Sequence, residues 1–93
     1  MLEMTLIIHG SVQGVGYRYS IIEQIEENQT LVRGYVFNKP NGAVEILAQG
    51  DIEALKDVRR FASTGSARSM VREIEEIIQE ISEYTYDSFD IKF

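Results

Sequence analysis

The chain has 93 residues, 44% hydrophobic and 26% charged, with a formal net charge of −6; that is enough for one small domain burying roughly 60–65% of its unfolded surface. Cysteine is absent, which excludes disulfides, thiolate metal sites and cysteine nucleophiles together, and no apolar run approaches the ~20 residues of a membrane span. The acidic balance argues against a duplex nucleic-acid partner, whose affinity comes from Lys and Arg neutralising phosphates; with no basic-then-apolar leader pattern, the expected compartment is the cytosol.

Residues 2–9, built on Leu6-Ile7-Ile8, read as a strand that ends at Gly10. A glycine-rich stretch follows, and residues 17–28 read as a helix with Ile21, Ile22 and Ile25 inward and Glu23, Glu26 and Glu27 outward. Residues 31–38 and 43–49 read as two strands joined by Lys39-Pro40-Asn41-Gly42; Asn-Gly is a strong hairpin signal, and Pro fits a turn better than a strand interior. In the second strand Val44, Ile46 and Ala48 alternate with Glu45, Leu47 and Gln49, the pattern of a half-buried strand. Asp51 is placed to cap a helix from Ile52 to about Ala62, with Ile52, Leu55, Val58 and Ala62 inward and Gly65 as its stop.

Residues 70–81 send two signals. Val71, Ile74, Ile77, Ile78 and Ile81 have helical spacing, and the intervening glutamates favour helix. The order before them is strand, helix, hairpin, helix, and a further strand completes a ferredoxin-like βαββαβ pattern. We assign strand. Phe89-Asp90-Ile91-Lys92-Phe93 alternates as an edge strand would. The expected fold is α+β: a ferredoxin-like sandwich with an antiparallel sheet of four to five strands and two helices on one face, residues 1–93 forming a single domain.

The stretch Gly10-Ser11-Val12-Gln13-Gly14-Val15-Gly16-Tyr17-Arg18 carries the chemistry. A strand, a glycine turn and a helix start let backbone N–H groups converge on an anion at the positive end of the helix dipole. Arg18 adds a planar charged fork for two phosphate oxygens. The spacing is not that of a dinucleotide fingerprint, no Gly-Lys-Ser/Thr follows, and no Cys precedes the Arg. On these residues alone, a structural turn with a surface Arg explains the stretch equally well.

The same nine residues resemble the acylphosphatase signature G-x-V-Q-G-V-x-[FY]-R. A second block, Gly34-Tyr35-Val36-Phe37-Asn38-Lys39-Pro40-Asn41-Gly42, is similar to that family's G-[FWY]-V-x-N-x-x-[DN]-G. Ala43-Val44-Glu45-Ile46 leading to Gly50, and Tyr86-Asp87-Ser88-Phe89, extend the likeness along the chain. The resemblance implies hydrolysis of carboxyl-phosphate anhydrides to a carboxylate and inorganic phosphate by a ferredoxin-like domain. It implies that Arg18 binds the phosphoryl group and that Gln13, Gly14, Val15, Gly16, Tyr17 and Arg18 form the phosphate-binding loop. It further implies that Asn38 holds the attacking water; with Arg18 and the loop amides supplying the positive field no metal or other cofactor is expected, and the expected substrate is a small acyl phosphate, met by a monomer.

Taken alone, an Asn before a turn serves the turn, and a non-catalytic anion-binding or regulatory domain is the alternative reading. The chain departs from the family pattern at Ser11, often basic there, and in a longer stretch between Arg18 and Gly34 carrying Glu26-Glu27-Asn28-Gln29-Thr30. His9 reads as a structural residue. Tyr35 and Phe37 read as sheet packing, since base stacking also needs a basic face. Glu73-Ile74-Glu75-Glu76 reads as a solvated edge.

Overall fold

Alternation along Met4, Leu6 and Ile8, each at most 1% exposed, makes one side of the first strand wholly apolar. In the computed structural model, which describes residues 1–93, the elements are β1 (Leu2–Ser11), α1 (Tyr17–Glu27), β2 (Arg33–Asn38), β3 (Val44–Gly50), α2 (Ile52–Thr64), β4 (Met70–Glu80) and β5 (Phe89–Lys92). The five strands form one sheet in the order β4-β1-β3-β2-β5. The pairs β1–β3, β1–β4 and β2–β3 are antiparallel. The sheet is not antiparallel throughout: β5 lies parallel to β2, with Val36 opposite Ile91 and Phe37 opposite Lys92. No helix is long and apolar enough to cross a membrane.

Both helices cover one face. Ile21 and Ile25 of α1 and Leu55, Val58, Phe61 and Ala62 of α2 join Met4, Leu6, Ile8, Val36, Val44, Ile46 and Ala48 of the sheet in a single core. Side chains such as these contribute about 1.5–3 kcal/mol each when fully buried. Ile52, expected inward, is 43% exposed because it lines an open cavity between α2 and β4. Phe61, not assigned to the core from the sequence, is buried instead. Asp51 occupies the N-cap position of α2 in an extended conformation, but its side chain makes no capping bond.

β4 is a strand despite its helical periodicity. It pairs with β1 along its length, from Leu2 opposite Glu80 to Ser11 opposite Met70, and this ladder outweighs a local preference worth only tenths of a kcal/mol per residue. Ile74 and Ile78 sit opposite Ile8 and Met4, towards the helices, whereas Ile77 faces the other way and is 68% exposed. The opposite face of the sheet is partly covered by the segment before β5. Gln49, expected outward, is fully buried there: its Nε2 donates to Glu3 Oε1 (2.8 Å) and Thr85 Oγ1 (2.7 Å), and its Oε1 accepts from Thr85 N–H (3.0 Å).

β1 runs past the expected end at Gly10 to Ser11, and its register against β4 shifts between His9 and Gly10. Glycine is required at that irregularity. Gly10 has φ 135°, and a Cβ there would overlap the Met70 carbonyl oxygen.

Candidate active site

The topology gathers three segments at one end of the sheet. β1 ends at Ser11, β2 ends at Asn38, and β3 begins at Val44, beside Ile8 of β1 and Asn38 of β2. The 12–16 loop therefore lies against the β2–β3 turn. Gln13 ties the two together: its Nε2 donates to the carbonyls of Lys39 (2.7 Å) and Ala43 (2.9 Å). The turn itself closes through Lys39 N–H to Ala43 C=O (2.8 Å) and Ala43 N–H to Asn41 Oδ1 (3.1 Å).

Gly14 and Gly16 adopt left-handed conformations, φ 72° and 78°, with nothing close to where a Cβ would stand. Gly16 is also the N-cap of α1 and offers no side-chain cap. The first bond of that helix is Ser20 N–H to Gly16 C=O (3.0 Å). The N–H groups from Gln13 to Tyr19 take no part in the loop's hydrogen bonding, so a run of backbone donors stands free where the helix dipole is positive.

Arg18 sits in the first turn of α1. The chain's ion pairs engage His9, Lys39, Lys56, Arg59 and Arg60, leaving the Arg18 guanidinium without a carboxylate. It lies instead over the Phe93 ring, Cζ 5.3 Å from the centroid, a contact that steadies a cation without neutralising it. Because Phe37 pairs with Lys92 in the parallel β2–β5 ladder, Phe93 follows at the level of Asn38. Asn38 lies two residues beyond buried Val36, on the face that the helices cover. Arg18 and Asn38 thus belong to one corner of the molecule. Asn38 Oδ1 is buried there with no hydrogen-bond donor, and it is Asn41, not Asn38, that serves the turn.

Two further residues of the signature face inward. Tyr17 is 1% exposed, and its hydroxyl donates to the Ala62 carbonyl (2.8 Å); burial pushes its phenol above the ordinary value, with Arg59 opposing. Val12 is buried in the core. Lys39, also at this end of the sheet, is paired with Glu45 (3.5 Å), whereas Arg18 keeps its charge free for an anion on a chain of net charge −6. His9 lies outside the cluster: its Nε2 is 2.6 Å from Glu75 Oε2 on the exposed sheet face.

The molecule's two cavities are elsewhere. One of about 310 Å³ lies between α2 and β4, lined by Met4, Leu55, Arg59 and Ile78 among others; the second, about 290 Å³, lies beside Leu31 and Tyr84. Neither is lined by a residue of the 12–18 segment or by Asn38.

The acylphosphatase family model matches residues 4–91. The chain belongs to the acylphosphatase family. It is 35% identical over 94 residues to the acylphosphatase of Bacillus licheniformis, all of both chains being covered. To the acylphosphatase of Bacillus subtilis it is 40% identical over 74 residues, covering 80% of this chain and 79% of that one. The crystal structure of acylphosphatase from Bacillus subtilis superposes with a TM-score of 0.88 at 35% identity over the whole of both chains. This acylphosphatase carries both family blocks on adjoining loops, which is what the loop–turn contact through Gln13 achieves. Ser66 Oγ donates to the Val15 carbonyl (2.8 Å), a contact with no sequence signal, because a serine just past the end of a helix is an ordinary turn residue.

Proposed function

We propose that this acylphosphatase holds the phosphoryl group of an acyl phosphate on the free N–H groups of Gln13 to Arg18 and on the Arg18 guanidinium, while Asn38 directs the attacking water. The observation that carries the reading is the run of unengaged N–H donors beside a guanidinium that has no carboxylate partner. Such donors are fixed before the substrate arrives and stabilise charge as it spreads over the equatorial phosphoryl oxygens.

Asn38 Oδ1 is a buried acceptor whose missing partner costs about 1–3 kcal/mol unless a donor reaches it. A water molecule there donates one hydrogen to Oδ1 and presents a lone pair to phosphorus. Water oxygen bonds to phosphorus, the bond from phosphorus to the bridging oxygen breaks, and the bridging electrons leave with the carboxylate. The water proton passes to a phosphoryl oxygen of the substrate. A carboxylate leaves without general-acid help, and a largely dissociative transition state asks little of a base. The residues that do this need no cofactor, and recognition at the phosphoryl end suits small acyl phosphates met by a single-domain cytosolic monomer.

The alternative, an anion-binding module without turnover, gives no role to the Asn38 oxygen. Incubation with benzoyl phosphate or acetyl phosphate in the presence of chelator separates the two. Loss of the acyl phosphate well above the buffer rate is expected; a rate equal to buffer would leave only the binding module.

A further inference from the structure

The phosphate loop is braced from below by the segment that links α2 to β4, and the braces are not equivalent. Tyr17 hydroxyl donates to Ala62 C=O (2.8 Å), Ser20 Oγ to Gly65 C=O (3.0 Å), and Ser66 Oγ to Val15 C=O (2.8 Å). The first two fasten α1 to the end of α2. Only the third holds a backbone group of the loop.

Its direction matters. The chain has no cis peptide bonds, so the carbonyl of Val15 and the N–H of Gly16 point in opposite directions within their shared peptide plane. A hydroxyl that holds the Val15 oxygen towards the α2–β4 segment turns the Gly16 N–H away from it, to the open side of the loop. Gly16 has φ 78° and ψ 16° and no side chain of its own to hold that peptide's orientation. A flipped peptide would present a carbonyl oxygen to the anion in place of a donor.

The Ser66 hydroxyl is itself well placed to do this. Ser66 N–H donates to Ser69 Oγ (2.9 Å), and Ser69 Oγ donates to Ser66 C=O (2.8 Å), so the Ser66 backbone is locked by its own short turn. Gly65, which precedes it, is buried at φ 63° with the Tyr17 ring 2.9 Å from where a Cβ would lie. A side chain at Gly65 would push α1 and this segment apart.

We infer that Ser66 is a positioning residue of this enzyme: its hydroxyl fixes the Val15–Gly16 peptide so that the Gly16 N–H donates to the phosphoryl group. The inference rests on the loop being the phosphate site, as proposed above.

The test measures the inhibition constant of inorganic phosphate, kcat and KM for benzoyl phosphate, and thermal melting for wild type, Ser66→Ala, Ser66→Thr and Ser20→Ala. Ser66→Ala is expected to weaken phosphate inhibition and lower kcat/KM by about 5–10-fold, the loss of one oriented donor. Ser66→Thr keeps the hydroxyl and restores both. Ser20→Ala removes a brace of similar geometry that does not touch the loop; it is expected to lower the melting temperature with phosphate inhibition unchanged. Wild-type phosphate inhibition in Ser66→Ala, or an equal loss in Ser20→Ala, overturns the role of Ser66. Failure of phosphate to inhibit the wild type would instead overturn the assignment of the loop, so the two failures are distinct.

Discussion

Replacing Asn38 by alanine separates a catalytic amide from a structural one. The side-chain oxygen receives no hydrogen bond from the protein, so truncation breaks no internal bond at that atom. The lost packing of the amide costs roughly 1 kcal/mol, on the scale of a buried methylene. Removing a buried acceptor that only a water can serve offsets a cost of similar size. The net change in stability is therefore expected within about 1 kcal/mol, a shift in melting temperature of no more than roughly 4–8 °C for a domain of this size. Turnover behaves differently: loss of one group that orients the reacting water lowers kcat by about 10²–10³-fold, as for other preorganised polar groups. Phosphate inhibition stays at the wild-type value, because Arg18 and the loop are untouched. The assay is steady-state hydrolysis of benzoyl phosphate with and without added phosphate, alongside a thermal melt. A kcat loss below tenfold accompanied by a stability loss above about 2 kcal/mol would show that Asn38 serves the fold, and the reasoning would fail.

Arg18→Gln is expected to weaken phosphate inhibition by at least about tenfold and to abolish measurable turnover, since charge-assisted bonds are worth about 1.5–3 kcal/mol; undiminished phosphate competition would contradict this. Gly10→Ala combines a positive φ with overlap against the Met70 carbonyl, so a loss of about 3–5 kcal/mol is expected in urea titration. A midpoint near wild type would mean the β1–β4 irregularity relaxes freely. Burial raises the Tyr17 phenol in the folded state, so the fold binds that proton more tightly than the unfolded chain does. The associated stability is complete below the unfolded value of about 10 and is lost as pH rises beyond it. Melting temperatures between pH 8 and 11.5 should fall, and Tyr17→Phe should flatten the slope in part, Tyr35 being raised in the same direction by burial and its bond to Glu45; an unchanged slope would exclude Tyr17.

The two family blocks were legible because their residue types are demanded by backbone chemistry. Gly10 is forced by a close approach, and Gly14 and Gly16 by left-handed turns. Most core positions were legible from alternation and helical spacing. Gln49 was not: a glutamine in a strand reads as solvent-facing until Glu3 and Thr85, distant in sequence, close over it. Asn38 was ambiguous for a related reason. Only the structure reveals that Asn41 has taken the turn's hydrogen bond and left Asn38 Oδ1 unengaged.

Local pattern determined by itself the element order up to α2, the hairpin at Asn41-Gly42 and the glycine loop before a helix, because each depends on the conformations of a few neighbouring residues. The tertiary structure decided the rest. Residues 70–80 became a strand because β1 had an edge to pair, Phe93 came to lie under Arg18 because β5 runs parallel to β2, and Val15 was anchored by a hydroxyl 51 residues away. Hydrogen-bond partners and strand edges are properties of an assembled sheet, and a periodicity taken one segment at a time holds no record of them.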